Sequence, residues 1–469
     1  MSKKLKVLII NISLRPDSEK ILFPIGLGYI ATAVHNAGFE LEILDLDALR
    51  LSDNKVEESI KKMDFDVVAM GVIVTGYKYV KNLCSIIKKH KDVPIIIGNS
   101  VATSIPETLM EKTEADIGVM NEGDVTIVEL LKAIENNTPL EDVKGIFLKK
   151  NGKVVFTSTR ELIGDLDSLP IINYELFDMK VYLDRCRYNI TEPYPMEFEK
   201  IRAFPINTAR GCPYNCTFCY HVFKNQKYRY RSVENIGKEI IHLKERYHIN
   251  YVQFFDELSL FSKQRVREIA DFFIDKKIDV FWTADCRAGL FGRDDLNLEL
   301  AKKLHEAGCL CLGYSLESGD ENILSAMNKQ MSVEDFVIQT HVLKKAGIAP
   351  TTSLVIGFPE ETPETLKKTF DVCYQADIYP STGYLLPQPG TPIYEYAVKS
   401  GKIDDEEAYL LKMNDRQDFT INLTRMSQKE IEDIVITNLN RISKKLKLNL
   451  KQENLIKTGH YRQANKQKH

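Results

Sequence analysis

The stretch Arg210-Gly-Cys212-Pro-Tyr-Asn-Cys216-Thr-Phe-Cys219-Tyr-His221 decides how the rest of this 469-residue chain is read. It places three cysteines within eight residues, directly after the apolar run 204–208. Soft thiolates so close in sequence meet at one metal centre only if the backbone wraps around it, and Gly211 and Pro213 favour a loop over a helix. Two centres suit these ligands. A closed structural zinc needs a fourth ligand, which His221 supplies. An iron-sulfur cubane held by three thiolates keeps one iron open to a ligand that is not protein.

Beyond this loop the chain alternates apolar runs with amphipathic stretches. Strands are predicted at 204–208, 251–255, 280–284, 310–316, 352–356 and 382–386, with helices at 232–248, 262–277, 295–307, 332–346 and 362–376. Six strand-helix units predict a partial barrel, whose chemistry belongs on the loops after the strands. Upstream, strands at 5–11, 39–44, 66–74, 93–97 and 116–120 alternate with helices at 25–37, 53–63, 77–90, 104–113 and 124–136. Continuous apolar strands separated by helices predict a five-stranded doubly wound sheet, with ligand loops at 11–23, 74–77, 98–103 and 121–124. Gly26-Leu-Gly28-Tyr-Ile-Ala31 spells a dinucleotide fingerprint, but it lies too far beyond the first strand to form a phosphate turn, and it reads as a small-residue helix face. Asn151-Gly152 predicts a small type I′ hairpin, and 165–200 reads as an irregular linker. The expected fold class is therefore α/β: a flavodoxin- or Rossmann-like doubly wound domain over 1–140, a hairpin and linker over 141–200, a partial (β/α)6 TIM-like barrel over 201–395, and a helical C-terminal region over 396–469.

Composition narrows the partners. Lys+Arg 63 against Asp+Glu 66 gives a net charge of −3, so no nucleic-acid or acidic-membrane partner is indicated. The longest weakly charged stretch, 21–34, is broken by Pro24, Gly26 and Gly28, so no transmembrane segment is expected. The first residues lack the pattern of a signal peptide, and the expected location is the cytoplasm. Cys84, Cys186, Cys286, Cys309, Cys311 and Cys373 have no cluster spacing; Cys309 and Cys311 read as core residues on one strand face. The segment 444–469 holds eight Lys or Arg against Glu453 alone, a solvated tail or a docking element.

The three cysteines, spaced by three and then two residues with aromatic Phe218 before the last, resemble the hallmark of the radical S-adenosylmethionine (radical SAM) superfamily. The resemblance implies that Cys212, Cys216 and Cys219 ligate a 4Fe-4S cluster whose fourth iron chelates S-adenosylmethionine, with Phe218 against the adenine. It continues along the strand ends over about 200–395. Asp256 and Glu257 stand where the family holds the cofactor's amino group, although an acidic pair there also suits a helix cap. Arg287 suits a carboxylate clamp or a surface ion pair. Ser315 and Glu317 resemble the ribose-binding segment, a carboxylate accepting from two adjacent hydroxyls. Ile356 and Gly357 resemble the adenine-binding turn, and 386–392 resembles the closing loop.

A doubly wound domain before such a barrel resembles the cobalamin-binding radical SAM enzymes. The residues that carry this are 23–29, Gly98-Asn99 and Asn121-Glu122-Gly123-Asp124, where small residues leave room for a corrin. The loop 11–24 has no histidine, so the Asp-x-His-x-x-Gly motif is absent and no protein imidazole is expected on the cobalt. The resemblance implies methylation of an unactivated carbon, with electrons from an external low-potential donor such as flavodoxin or ferredoxin. Radical ring formation or rearrangement without methyl transfer, and a zinc- or cobalamin-binding protein without turnover, remain open alternatives. No substrate is indicated, though Tyr384 and Gln388 stand where a barrel mouth shapes one.

Overall fold

The computed structural model describes residues 4–16, 18–224 and 226–457. In the N-terminal lobe, β1 (Lys6–Asn11), β2 (Glu40–Asp45), β3 (Val67–Gly71), β4 (Ile95–Gly98) and β5 (Ile117–Val119) form a parallel sheet in the order β2-β1-β3-β4-β5. Val7, Leu8, Ile9 and Ile10 are all buried, as a strand covered by helices on both faces requires.

The hairpin corrects the five-strand expectation. Its strands β6 (Ile146–Lys150) and β7 (Lys153–Phe156) flank Asn151 and Gly152, at φ 52° and 77°, and β6 pairs antiparallel with β5 to make a seven-stranded sheet. Gly118 in β5 allows this, because a Cβ there would stand 1.9 Å from the ring of Phe147. The helix predicted at 104–113 is Pro106–Lys112, and the predicted ligand loop 98–103 is itself a short helix, Asn99–Ser104, kept separate because the ring of Pro106 disfavours helical backbone at Ile105. The Gly26–Ala31 motif lies inside the helix Ile25–Asn36, where a Cβ on Gly28 would reach Phe23 and Ile172 at 3.0 Å. The stretch predicted as a linker packs instead: Tyr174, Phe177 and Tyr182 surround Phe23 together with Phe204 of the next lobe, at ring distances of 4.9 to 5.3 Å.

The second lobe begins with β8 (Ala203–Ile206), followed by a short pair β9 (Ala209–Arg210) and β10 (Arg229–Tyr230), then β11 (Tyr251–Phe254), β12 (Phe281–Asp285), β13 (Cys309–Gly313) and β14 (Ala349–Thr351). The order β14-β13-β12-β11-β8 is parallel throughout. The predicted fifth strand, 352–356, is β15 (Ser353–Ile356); the chain breaks at Thr352 after β14, a strand the apolar pattern does not predict, and β15 pairs with β16 (Ser381–Tyr384) in a separate two-stranded sheet. Glu317, at φ 60°, turns the chain after β13 and holds β15 through Glu317 N–H to the Ser353 carbonyl at 3.1 Å and Val355 N–H to the Glu317 carbonyl at 3.2 Å. A register shift beside Trp282 also separates the two strand cysteines: Cys309 joins the outer core, whereas Cys311 meets Thr191 and Thr351 on the inner face.

The lower end of the barrel is closed by Ile190, with Met196 and Phe198 packed around Tyr251, Phe281 and Leu310. Behind the lobe, the helix Gln428–Lys445 packs on the helix Pro363–Gln375. Part of the basic segment is pinned there, with Lys445 to Asp377 and Lys457 to Asp418 both at 2.7 Å; residues 458–469 lie outside the described residues. One apolar core joins the lobes, since Leu8, Ile10 and Met70 belong with Met327, Phe358 and Leu385. Among the described residues, no helix is long and apolar enough to cross a membrane.

Candidate cofactor site

The cysteine loop is a closed excursion. It leaves β9 and returns through β10, whose ladder pairs Arg210 with Arg229 and Ala209 with Tyr230. Gly211 opens it at φ 90°, in the left-handed region that glycine tolerates, and Pro213 follows. The middle is pinned to the far side of the barrel, with Thr217 N–H donating to the Met327 carbonyl at 2.9 Å and Asn328 Nδ2 to the Asn215 carbonyl at 2.9 Å. Cys219 is an exposed residue, yet desolvation by the protein around it pushes its thiol up to about 12, and the neighbouring Cys216 and Cys212 sulfurs add to the shift. Cys212 is raised by burial too, and it feels Arg287 and Glu257. Three sulfurs on a pinned loop, whose thiolates would repel one another, are a donor set that gains from a shared cation. Among the described residues no three ligand-type side chains close on a single-ion site, and the buried His221 Nδ1 has no partner. The donors fit a centre that spreads its thiolates over several irons.

The strand ends place the other nominated residues. Glu257 opens into the mouth, accepts the Gly211 N–H at 3.3 Å, and has its carboxyl raised by desolvation. Asp256 is a correction: Oδ1 accepts from the Thr208 and Ala209 N–H groups and from Asn207 Nδ2, while Oδ2 accepts from the Thr208 hydroxyl at 2.5 Å. It clamps the start of the cysteine loop, with both carboxylate oxygens engaged by residues 207–209. Burial pushes it up to about 6. The Arg287 guanidinium stacks 3.8 Å from the Tyr214 ring, and its buried Nε and Nη2 have no partner, which fits an anionic ligand. Glu317 Oε1 accepts from Lys329 Nζ at 2.8 Å while buried Oε2 has no partner, which fits a hydroxyl donor. Ser315 shares a 2.6 Å hydrogen bond with Ser353. At Ile356 and Gly357 part of the backbone is engaged by the protein itself. The Ile356 carbonyl accepts the Leu385 N–H at 2.7 Å, and the Gly357 and Phe358 N–H groups donate to Glu361 Oε2 at 2.5 and 3.1 Å. Phe218 is half-buried against the shared core.

On the N-terminal lobe the nominated residues divide. A Cβ on Gly98 would meet nothing, Asn99 takes a left-handed φ of 67°, and nearby Ile73 is exposed, so the ends of β3 and β4 form an open apolar ledge. Tyr220, next to Cys219, reaches Ser104 on the helix that Asn99 begins, so this ledge adjoins the cysteine loop. An open, partly apolar ledge there fits a corrin. Glu122 and Gly123 do not belong to it. Glu122 Oε1 accepts from Arg210 Nη1 at 2.7 Å and Arg229 Nη1 at 2.8 Å, and its Oε2 from the Ile163 N–H at 2.7 Å. Asp124 completes the buried cluster with two bonds to Arg210 at 3.0 and 3.1 Å, and the Tyr29 ring lies 5.2 Å from that guanidinium. A Cβ on Gly123 would stand 2.9 Å from Ile30. Sequence reasoning missed this interlobe cluster, whose partners are remote in sequence, and also Lys329 and Glu361, which face Glu317 and the turn after β15 only once the chain is folded.

Comparison with known proteins agrees with this division. The family model of the Radical SAM superfamily matches residues 206–373, and that of the B12 binding domain matches residues 16–131. The chain belongs to the radical SAM enzymes that carry a cobalamin-binding domain, a class whose cofactors are a 4Fe-4S cluster, S-adenosylmethionine and cobalamin. It is similar to an uncharacterized methyltransferase of Pyrococcus horikoshii, with 29% identity over 404 residues, 85% of this chain and 82% of that protein. It is also similar to the cytidylyl-2-hydroxyethylphosphonate methyltransferase of Streptomyces wedmorensis, with 25% identity over 470 residues, 88% of this chain and 85% of that one. Its fold resembles that of the radical S-adenosylmethionine methyltransferase TsrM from Kitasatospora setae, with a TM-score of 0.67 at 20% identity over 86% of this chain and 77% of that one.

Proposed function

We propose that this protein methylates an unactivated carbon of its substrate by radical chemistry. The observation that carries the reading is the convergence on one mouth of the three-thiol loop, the unpartnered groups of Arg287 and Glu317, and the open ledge of the cobalamin-binding lobe. When bound, the cluster and S-adenosylmethionine supply a hydrogen-abstracting adenosyl radical, and cobalamin carries the methyl group. The chain holds and orients these groups. Cys212, Cys216 and Cys219 are the iron ligands, Glu257 takes the cofactor's ammonium, Arg287 its carboxylate, and Glu317 its ribose hydroxyls. Asp256 and the β9–β10 ladder position the loop, Gly98 and Asn99 border the corrin seat, and the shared core holds the two lobes against each other. An external low-potential donor delivers the electrons. The first domain takes in the hairpin that completes its sheet, and domain limits near 200 and 395 follow from the same division of roles.

Anaerobic reconstitution with iron, sulfide and cobalamin tests this. With S-adenosylmethionine deuterated in its methyl group and a strong reductant, the protein should bind about four irons per chain, release 5′-deoxyadenosine and form deuteromethyl-cobalamin. Cys→Ala at any of the three positions should abolish the first two. Iron binding without deoxyadenosine, or deoxyadenosine with no methyl on cobalt, overturns the reading.

A further inference from the structure

The inner face of the barrel is not filled. Its lowest layer is apolar and plugged by Ile190, but the next layer, registered as Gln253–Thr283–Cys311, is polar, and so is the layer above it, Asp285–Gly313–Thr351. Gln253, Thr283, Asp285, Gly313 and Thr351 all retain solvent access, which side chains in a packed barrel interior do not. The buried Gln253 Oε1 has no partner. Above them, two residues past Gln253 on the same strand face, Phe255 is 53% exposed although it is a large apolar ring.

Asp285 is the charged group of this well. Among the described residues, its carboxylate has no hydrogen bond or ion pair, while its backbone carbonyl accepts from Ser259 and Leu260. Gly313 opposite leaves it space, since a Cβ there would stand 2.0 Å from Asp285 Oδ1. The titratable groups it senses are Asp256, Cys286 and Cys311, none of them a cation. An unpaired carboxylate that opens into this solvent-reached space, beside a second carboxylate and no cation, offers a countercharge to a cationic ligand. Desolvation, reinforced by Asp256, accordingly pushes it up to about 7.

We propose that this well is the substrate pocket and that it selects a protonated amine carried on an apolar body, with the ammonium on Asp285 and the apolar part against Phe255. The inference rests on the reading of the mouth as a radical site and names the class of molecule that site takes. A carboxylate provides the countercharge, the hydroxyls of Thr283 and Thr351 and Gln253 Oε1 accept the remaining ammonium protons, and the exposed ring packs on carbon and adds a cation–π attraction.

The test uses the full reconstituted chain loaded with S-adenosylmethionine, titrated calorimetrically with phenethylamine, 2-phenylethanol and 3-phenylpropionate. The amine should bind saturably and at least tenfold more tightly than either analogue. Asp285→Asn should remove that preference, and Phe255→Ala, at an exposed position, should weaken all apolar probes several-fold. Equal binding of the three probes, no saturable amine binding, or an unchanged preference in folded Asp285→Asn overturns the proposal. A loss of S-adenosylmethionine affinity in Asp285→Asn equal to the loss of amine affinity also overturns it, since the carboxylate then serves the cofactor. Deoxyadenosine formation by the unsubstituted protein, measured in the same preparation, reports separately on the radical reading.

Discussion

Glu361 is buried at the turn after β15, accepting two N–H groups with one oxygen while the other has no partner. Desolvation pushes its carboxyl up to about 8. With the folded-state value raised above the unfolded one, its contribution to stability is full below the ordinary carboxyl range and is lost as the pH rises through about 8. Glu361→Gln should therefore gain in unfolding temperature relative to the unsubstituted protein as the pH rises from about 5 to about 9, and a flat difference in a thermal melt would contradict this. Glu122→Ala leaves Arg210 and Arg229 buried without their shared carboxylate, and should cost on the order of 3–5 kcal/mol, read as a lowered melting temperature. Residues of this kind divide by how they can be read. Cys212, Cys216 and Cys219 are legible because their spacing is local. Asp256 and Glu257 look alike in sequence, and only the fold turns one into the loop and the other into the mouth.

Helices and strands were legible wherever the apolar period is continuous, as in the helices Val233–Tyr247, Lys263–Asp275 and Val333–Lys345, which match the predicted 232–248, 262–277 and 332–346 within two residues. What periodicity does not carry is the choice of ladder partner. The hairpin's place beside β5 depends on Gly118 making room for Phe147, and the break at Thr352 depends on the turn at Glu317. Each is a contact between distant segments. At this scale Gly308 offers a clean test. It joins its helix to β13 at φ 91°, and a Cβ would stand 2.4 Å from the Val280 carbonyl oxygen. Gly308→Ala should cost about 2 kcal/mol or more in a denaturant titration. Leu439→Ala, in the fully buried seam between the helices Gln428–Lys445 and Pro363–Gln375, should cost about 2–5 kcal/mol in the same experiment.

For the whole molecule, the pinning of the cysteine loop separates cluster loss from unfolding. The β9–β10 ladder, the Asp256 clamp and the Thr217–Met327 bond are all protein contacts, so chelating the iron anaerobically should leave far-UV circular dichroism unchanged and confine faster hydrogen exchange to about residues 211–222. Exchange that spreads through β11 or β12 would refute this. Arg210 has a broader consequence. It stands two residues before the first thiol, yet its charge is neutralised entirely by carboxylates of the other lobe. The two halves are therefore not interchangeable parts: a chimera that swaps in a foreign corrin-binding half, or a truncation that removes the native one, strands a bare guanidinium beside the metal loop, and recombination between relatives has to carry Arg210, Glu122 and Asp124 as a single inherited set.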